Sequence, residues 1–365
     1  MDVDVAIIVG GPAGCAAALA LRSRGHSVTV ISSPTRREKP TETALPSLPR
    51  LLQSLDASDE ALGSCEPCYG IVSAWGRTTP TLQPSMMNPF GHAWFVHRAR
   101  FDSCLQNAAR GKGAIWLAEE AQAVHFYSHG GSVVVADTTV RARWIIFATG
   151  SPSWPARITQ QKTTKTDSML VFWARIPMSL QERLLFVEPT DFGWWYVCPA
   201  ESAGAIACFV TDPLSARTLG PSQPVAWNHL FQATTLSQQL QGVIAEQVHI
   251  ALTGLASLPE KHGPHWIAVG DAAVKLDPLG SSGTATALDS GLRAAHVVAD
   301  ALFGSGTDLD RYGRWSTGLV EEFICQRRQQ YAIEALTRKD MFWPRRLARA
   351  LEGGPNEGLH QCIDD

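Results

Sequence analysis

The chain has 365 residues, of which 45% are hydrophobic and 18% charged, and a formal net charge of −3. That length is too great for one small core and points to two domains. The mild acidity excludes nucleic acid as the main partner, and no apolar run reaches membrane-spanning length.

The first strand begins at Val3 without a basic, cleavable leader, so a cytoplasmic protein is expected. Val3 to Val9 is a short apolar run, "GGPAG" is a tight turn, Pro12 to Arg24 is an Ala/Leu-rich helix, and Ser27 to Ser32 is a second strand. In the G-x-G-x-x-G frame of a dinucleotide site, Gly11 and Gly14 hold the second and third places, while Val9 holds the first. Gly10 is expected to supply the turn freedom one place later. Eighteen residues beyond Gly14, where an acid usually holds the ribose, stand Ser32 and Ser33. The alternative is an ordinary βαβ start with no ligand.

After this unit the chain is loop-rich, then helical from about Pro46, and "GIVSAWG" reads as a strand. "HAWFVHRARFDSCLQNAAR" reads as strand to helix, and several short strands end at the "ATG" turn before Ser151. From Ser168 to Leu252, "MLVFWARI", "LLFVEP", "GWWYVCPA" and "GAIACFVTD" suggest an antiparallel sheet with one wet face. The tail, Asp310 to Leu351, is mainly helical. The fold expected is α/β: a discontinuous Rossmann-type domain (1–70, 97–157, 256–303), an inserted antiparallel-sheet substrate domain (71–96, 158–255) and a helical C-terminal segment (304–365).

Cys15, Cys65, Cys68, Cys104, Cys198, Cys208, Cys325 and Cys362 are scattered and read as reduced thiols. Cys65 and Cys68 form a lone C-x-x-C in a loop-like segment. A zinc site would need a second pair, so no metal is expected, and a redox dithiol is the alternative to two plain thiols. Most of the twelve tryptophans are core candidates, although such rings also wall aromatic pockets.

The decisive stretch is "VGDAAVKLDPLGSSGTATAL", a strand end at Gly270–Asp271 followed by a loop into a helix near Gly283–Thr284. Asp271 can accept hydrogen bonds from sugar-like hydroxyls, and free N–H groups at Gly283 and Thr284 would face partial negative charge. A reduced flavin carries such charge at one edge. Paired with the fingerprint some 260 residues earlier, this stretch resembles the second FAD segment of the flavoprotein monooxygenase superfamily.

The resemblance narrows through "TETALP", "HRARFDSCL", "DPLGSSG" and "GWWYVCP", which are similar to segments of flavin-dependent tryptophan halogenases. His97 stands in place of an acid there, Tyr196 replaces the second Trp of the halogenase signature, and Cys198 replaces its Ile. "QRRQQYAIEALTRKDMFWPRR" resembles the C-terminal helix of the LodB/GoxB-type maturation flavoproteins, which help oxidise a protein tryptophan toward a tryptophylquinone.

The resemblance implies FAD, with Gly11, Ala13 and Gly14 at the pyrophosphate and Ser32 replacing the acid at the adenosine ribose. Arg98 would reach the cofactor and Asp271 its ribityl chain, while Pro278, Gly283 and Thr284 would lie along the isoalloxazine. Arg98 could instead make a surface salt bridge. Among acid–base groups Glu42 is the first choice, against a structural role at the "ALPSL" helix start; His92 and His97 are the others, and His97 also suits a buried backbone partner. Trp194, Trp195 and Tyr196 are expected along the wall of a wide cleft. Halogenases of this kind place a lysine between flavin and substrate, yet no lysine lies between Lys39 and Lys112; Lys275 reads as a solvated loop charge.

No second Gly-rich βαβ unit is visible for a nicotinamide, so electrons would come from transiently bound NAD(P)H, a flavin reductase or the substrate. The expected activity is FAD-dependent oxygenation or oxidation of an aromatic ring, preferably a tryptophan in the precursor of a quinoprotein oxidase. The alternatives are a hydroxylase or halogenase of a small aromatic substrate, a prenyl-chain reductase, and a non-catalytic flavin-binding chaperone.

Overall fold

Short β-branched runs assemble into a parallel sheet at the centre of a computed structural model, which describes residues 1–34, 39–178, 182–201, 204–239, 244–304, 308–338 and 340–352. The parallel strands lie in the order Trp266–Ala268, Thr138–Phe147, Asp2–Ile8, Val28–Ile31 and Ile115–Leu117. Alternation along the first strand sends Val5 and Ile7 toward helices Pro12–Ser23, Arg98–Gly111 and Gly283–Phe303. Ala6 and Ile8 face the opposite layer, which includes the hairpin Ala121–Tyr127/Gly130–Val135. Burial on both faces is what a parallel sheet requires.

A second, seven-stranded sheet runs in the order His249–Thr253, Met169–Ile176, Ala205–Thr211, Gly193–Pro199, Leu184–Thr190, Gly70–Ser73 and Thr81–Pro84. It is antiparallel except where Leu184–Thr190 pairs with Gly70–Ser73. The expected wet face is absent from its centre. Ala205–Thr211 is buried at every position, because Trp227 and Phe231 cover one face and Tyr331 and Trp343 the other.

A small sheet joins the two cores: Ala93–Val96 lies between Glu42–Ala44 and Cys65–Cys68. Val96 packs into the core of the parallel sheet and Phe95 into that of the antiparallel sheet. Cys65 and Cys68 therefore sit in a strand rather than a loop. Three residues apart, they face opposite sides, so a redox dithiol between them is ruled out.

The long helix Leu309–Thr337 spans both units. Its Tyr312 hydroxyl donates to Ala268 O at 2.7 Å, while its Tyr331 lies in the antiparallel core. Between them, Arg327 reaches two buried carboxylates, Asp167 at 3.1 Å and Asp277 at 3.4 Å, and Arg346 of helix Phe342–Glu352 also donates to Asp167. Among the described residues no helix is long and apolar enough to cross a membrane.

Candidate cofactor and catalytic site

The fingerprint turn is built differently from the expectation at its first place. Val9 itself adopts φ +78°, a left-handed conformation that a β-branched residue adopts only under constraint, and Gly10 does not. Val9 N donates to Ile31 O at 2.8 Å, and the buried Gln106 amide donates to Gly10 O at 2.9 Å. Gly10 instead makes room for the Trp116 ring, which a methyl there would overlap. At Gly14 a methyl would overlap Val9 O and meet Ala148 Cβ at 3.2 Å, so the close helix–strand approach admits no side chain.

Far along the chain, the second segment returns to this turn. Gly270 has φ +55°, and a Cβ there would stand 2.9 Å from Ala13 Cβ. The strand ends at Ala268 rather than at Gly270–Asp271, and the single helical turn Gly270–Ala272 that follows is packed on the first turn of the fingerprint helix. Burial pushes the Asp271 carboxyl up to about 6, with Lys275 opposing and Glu42 adding to the rise. Asp277 caps Leu279 N at 3.1 Å, which shapes the Pro278–Gly280 turn that precedes helix Gly283–Phe303.

Neither helix N-terminus carries a side-chain cap, at Gly11 or at Ser282. A methyl on Gly11 or on Gly283 would meet nothing within 4 Å. Uncapped N–H groups beside open space suit a group with anionic oxygens at one end and an electron-rich ring edge at the other. These residues fit FAD. Ser32 lies at the end of strand Val28–Ile31, its N–H bonded to Leu117 O at 2.9 Å.

A charged network meets the second of these termini at Thr284. Arg98, only 8% exposed, donates from Nη1 to Glu42 at 2.6 Å and holds Asp102 through Nε at 3.0 Å and Nη2 at 3.2 Å. Burial works against its charge, but Glu42 and Asp102 outweigh it and hold the guanidinium above its usual range. Glu42 Oε2 accepts from Thr284 Oγ1 at 2.9 Å, and Thr43 Oγ1 donates to Ser281 Oγ at 2.5 Å. Glu42 lies in a strand and does not cap the following helix, whose N-cap is Ser47. Arg98 is likewise no surface ion pair: it fixes Glu42 from behind.

His97 is buried between Thr41 Oγ1 and Glu66 Oε1, each 3.2 Å from a ring nitrogen. This is a structural bridge, with side-chain partners rather than the backbone partner expected. His92 Nδ1 lies 3.0 Å from Ala93 O, and Lys275 donates to Leu252 O at 2.7 Å.

The expected aromatic wall is corrected. Trp194 and Trp195 are 2% and 1% exposed and point to opposite faces of their strand. Trp194 packs on Trp343 and Tyr331, while Trp195 stacks on Phe209. Tyr196 is only partly buried. Its hydroxyl is held well above its usual range by burial, with Cys208, Cys198 and Glu42 adding to the rise. Burial likewise raises the Cys198 and Cys208 thiols, Cys208 to about 12. Among the described residues no group of His, Cys, Asp or Glu is placed to hold a metal.

Sequence reasoning missed Asp102, Gln106 and Ser281. Asp102 had a signal, because it follows Arg98 by four residues on a helix. Gln106 continues that helical face. Nothing local marks Ser281 as a partner of Thr43.

Residues 3–170 match the family described as pyridine nucleotide-disulphide oxidoreductase. Over 375 residues the chain is 24% identical to a Marinomonas mediterranea protein named as FAD-dependent oxidoreductase LodB, covering 94% of this chain and 97% of that one. The flavin-dependent halogenase CmlS superposes with a TM-score of 0.85 at 22% identity, over 95% of this chain and 68% of that one. QhpG, a peptidyl tryptophan dihydroxylase essential for tryptophylquinone cofactor biogenesis, superposes with a TM-score of 0.74 at 19% identity, over 95% and 79%.

Proposed function

We propose that this chain, an FAD-dependent oxidoreductase of the halogenase and monooxygenase superfamily, oxidises the indole ring of a tryptophan within a partner polypeptide during tryptophylquinone maturation. The observation that carries the reading is the placement of Glu42. Its carboxylate is gripped by Arg98 on one oxygen and by Thr284, in the first turn of helix Gly283–Phe303, on the other. A carboxylate so held is aimed and can take a ring proton.

FAD supplies the electron chemistry when bound. The protein's part is to bind and orient it, with Gly11, Ala13 and Gly14 at the pyrophosphate, Ser32 at the adenosine ribose, Asp271 at the ribityl hydroxyls and Pro278, Gly283 and Thr284 along the ring system. Glu42 then removes the proton that ring oxidation releases, and Tyr196 closes the inner side of the site against water. The absence of any lysine between Lys39 and Lys112 supports oxidation without hypohalous acid. LodB and QhpG support a protein substrate, and the likeness to CmlS keeps a small aromatic substrate as the rival.

The test incubates reduced holoprotein, oxygen and an unprocessed quinoprotein precursor, and follows the precursor's mass. Gain of oxygen on one tryptophan, lost in Glu42→Gln while FAD is retained, is the expected result. Conversion of a free aromatic compound with no change in the precursor would replace this reading by the small-molecule one.

A further inference from the structure

One surface lies outside the site and is continuous with it. Strand Thr81–Pro84 pairs only with Gly70–Ser73 among the described strands, so its outer backbone edge is open. The turn that follows exposes Met86, Met87 and Phe90 by 86%, 79% and 83%. Large apolar side chains clustered this openly mark a contact surface. Charge is nearly absent: between Glu66 and Arg98, Arg77 is the sole Lys, Arg, Asp or Glu.

The surface leads to Glu42. Ser85 N donates to Tyr69 O at 2.8 Å, anchoring the methionine turn. The Tyr69 ring meets His92 at 6.1 Å, and His92 meets Trp94 at 4.5 Å. Trp94 registers with Ala44 in the strand that begins at Glu42. A run of aromatic rings, Tyr69, His92 and Trp94, therefore links the exposed turn to the strand bearing the carboxylate.

We propose that this surface docks an extended, uncharged stretch of the polypeptide that carries the tryptophan, a proposal that rests on the protein-substrate reading above. The backbone of that stretch adds to the edge of Thr81–Pro84, and its apolar side chains seat on Met86, Met87 and Phe90. An open strand edge recognises peptide backbone and has nothing to offer a lipid. With Arg77, bonded to Thr81 at 3.1 Å, as the one basic residue of this segment, an anionic membrane also gains little hold. Methionines adapt to irregular apolar partners, as a substrate stretch without helical order requires. Pro80 and Pro84 bracket the strand, so backbone pairing is short and the side chains carry most of the contact.

The experiment uses holoprotein with unprocessed quinoprotein precursor as the probe, read by amide hydrogen exchange and by precursor mass. Protection of residues 81–83 and 85–88 on adding precursor is expected. In Met86→Glu/Phe90→Glu, which should keep its FAD and far-ultraviolet dichroism, the protection disappears and KM rises about tenfold or more with kcat unchanged. Protection without oxygen gain would uphold the docking surface and sink the activity. Oxygen gain without protection, or with an unaltered KM in the variant, overturns the docking surface and leaves the activity standing. Absence of both effects overturns the proposal. So does protection that arises from self-association in sedimentation, or equally on neutral phosphatidylcholine vesicles, in favour of a second copy or a lipid.

Discussion

Replacing Arg98 by Met separates a structural network from a cofactor contact. Two carboxylates lose their partner: the buried Asp102, held at 3.0 and 3.2 Å, and the partly exposed Glu42, held at 2.6 Å. Removing one member of a buried ion pair costs roughly 3–5 kcal/mol, because the remaining charge is left without compensation. Glu42 can hydrate, and the half-exposed Lys39, 3.6 Å from Asp102, offsets part of the loss. The net expectation is about 3 kcal/mol, the lower end of that range. Urea unfolding of FAD-free and FAD-loaded protein, with an FAD titration, provides the assay. Both forms should lose the same amount, and Arg98→Met/Asp102→Leu should recover much of it. A loss below about 1 kcal/mol, the scale of a surface pair, would refute the buried-network argument. A loss confined to the FAD-loaded form would assign Arg98 to the cofactor instead.

Gly14→Val forces the fingerprint helix off its strand, so FAD content, read from visible absorbance, should collapse; normal flavin loading would show that the turn can yield. Asp271→Asn tests the raised carboxyl. With the folded-state value lifted from 3.8 to about 6, the favourable protonated contribution is complete below pH 3.8 and is lost as pH rises through about 6. The variant should therefore be more stable than the parent at neutral pH as FAD-free protein, by about 1–2 kcal/mol after allowing for solvent, and bind FAD less tightly. An unaltered stability slope between pH 4 and 6 would place the linkage elsewhere. Trp194→Ala should cost about 3–5 kcal/mol in denaturant unfolding as a core truncation; a change in substrate KM with stability intact would return this ring to the cleft wall.

Much of the cofactor frame is legible from the chain alone. The run Val5–Ile8, the turn at Gly11–Gly14 and the loop from Gly270 to Thr284 announce themselves because strand period, helix composition and steric exclusion at glycine are local properties. The same locality made Cys65–Cys68 read as a loop, whereas they form a strand that turns the two thiols apart. Adjacent tryptophans at 194 and 195 must point to opposite faces of a strand. Which face stays wet is a different matter. Tyr331 and Trp343, well over a hundred residues later, bury one of them.

By itself, then, the sequence determined the opening strand–turn–helix–strand unit, the late loop into helix Gly283–Phe303, and the residue types available for chemistry. Only tertiary structure decided which of those residues meet. Glu42, Arg98 and Thr284 come from three distant segments, and Val9 holds its left-handed turn because Ile31 O fixes its N–H and Gln106 secures the next carbonyl. The physical reason is range. Backbone sterics and periodicity act over a few residues and are written in order along the chain. Ion pairs, buried donors and covered faces depend on which distant surfaces meet when the two cores pack, and no local pattern specifies that meeting.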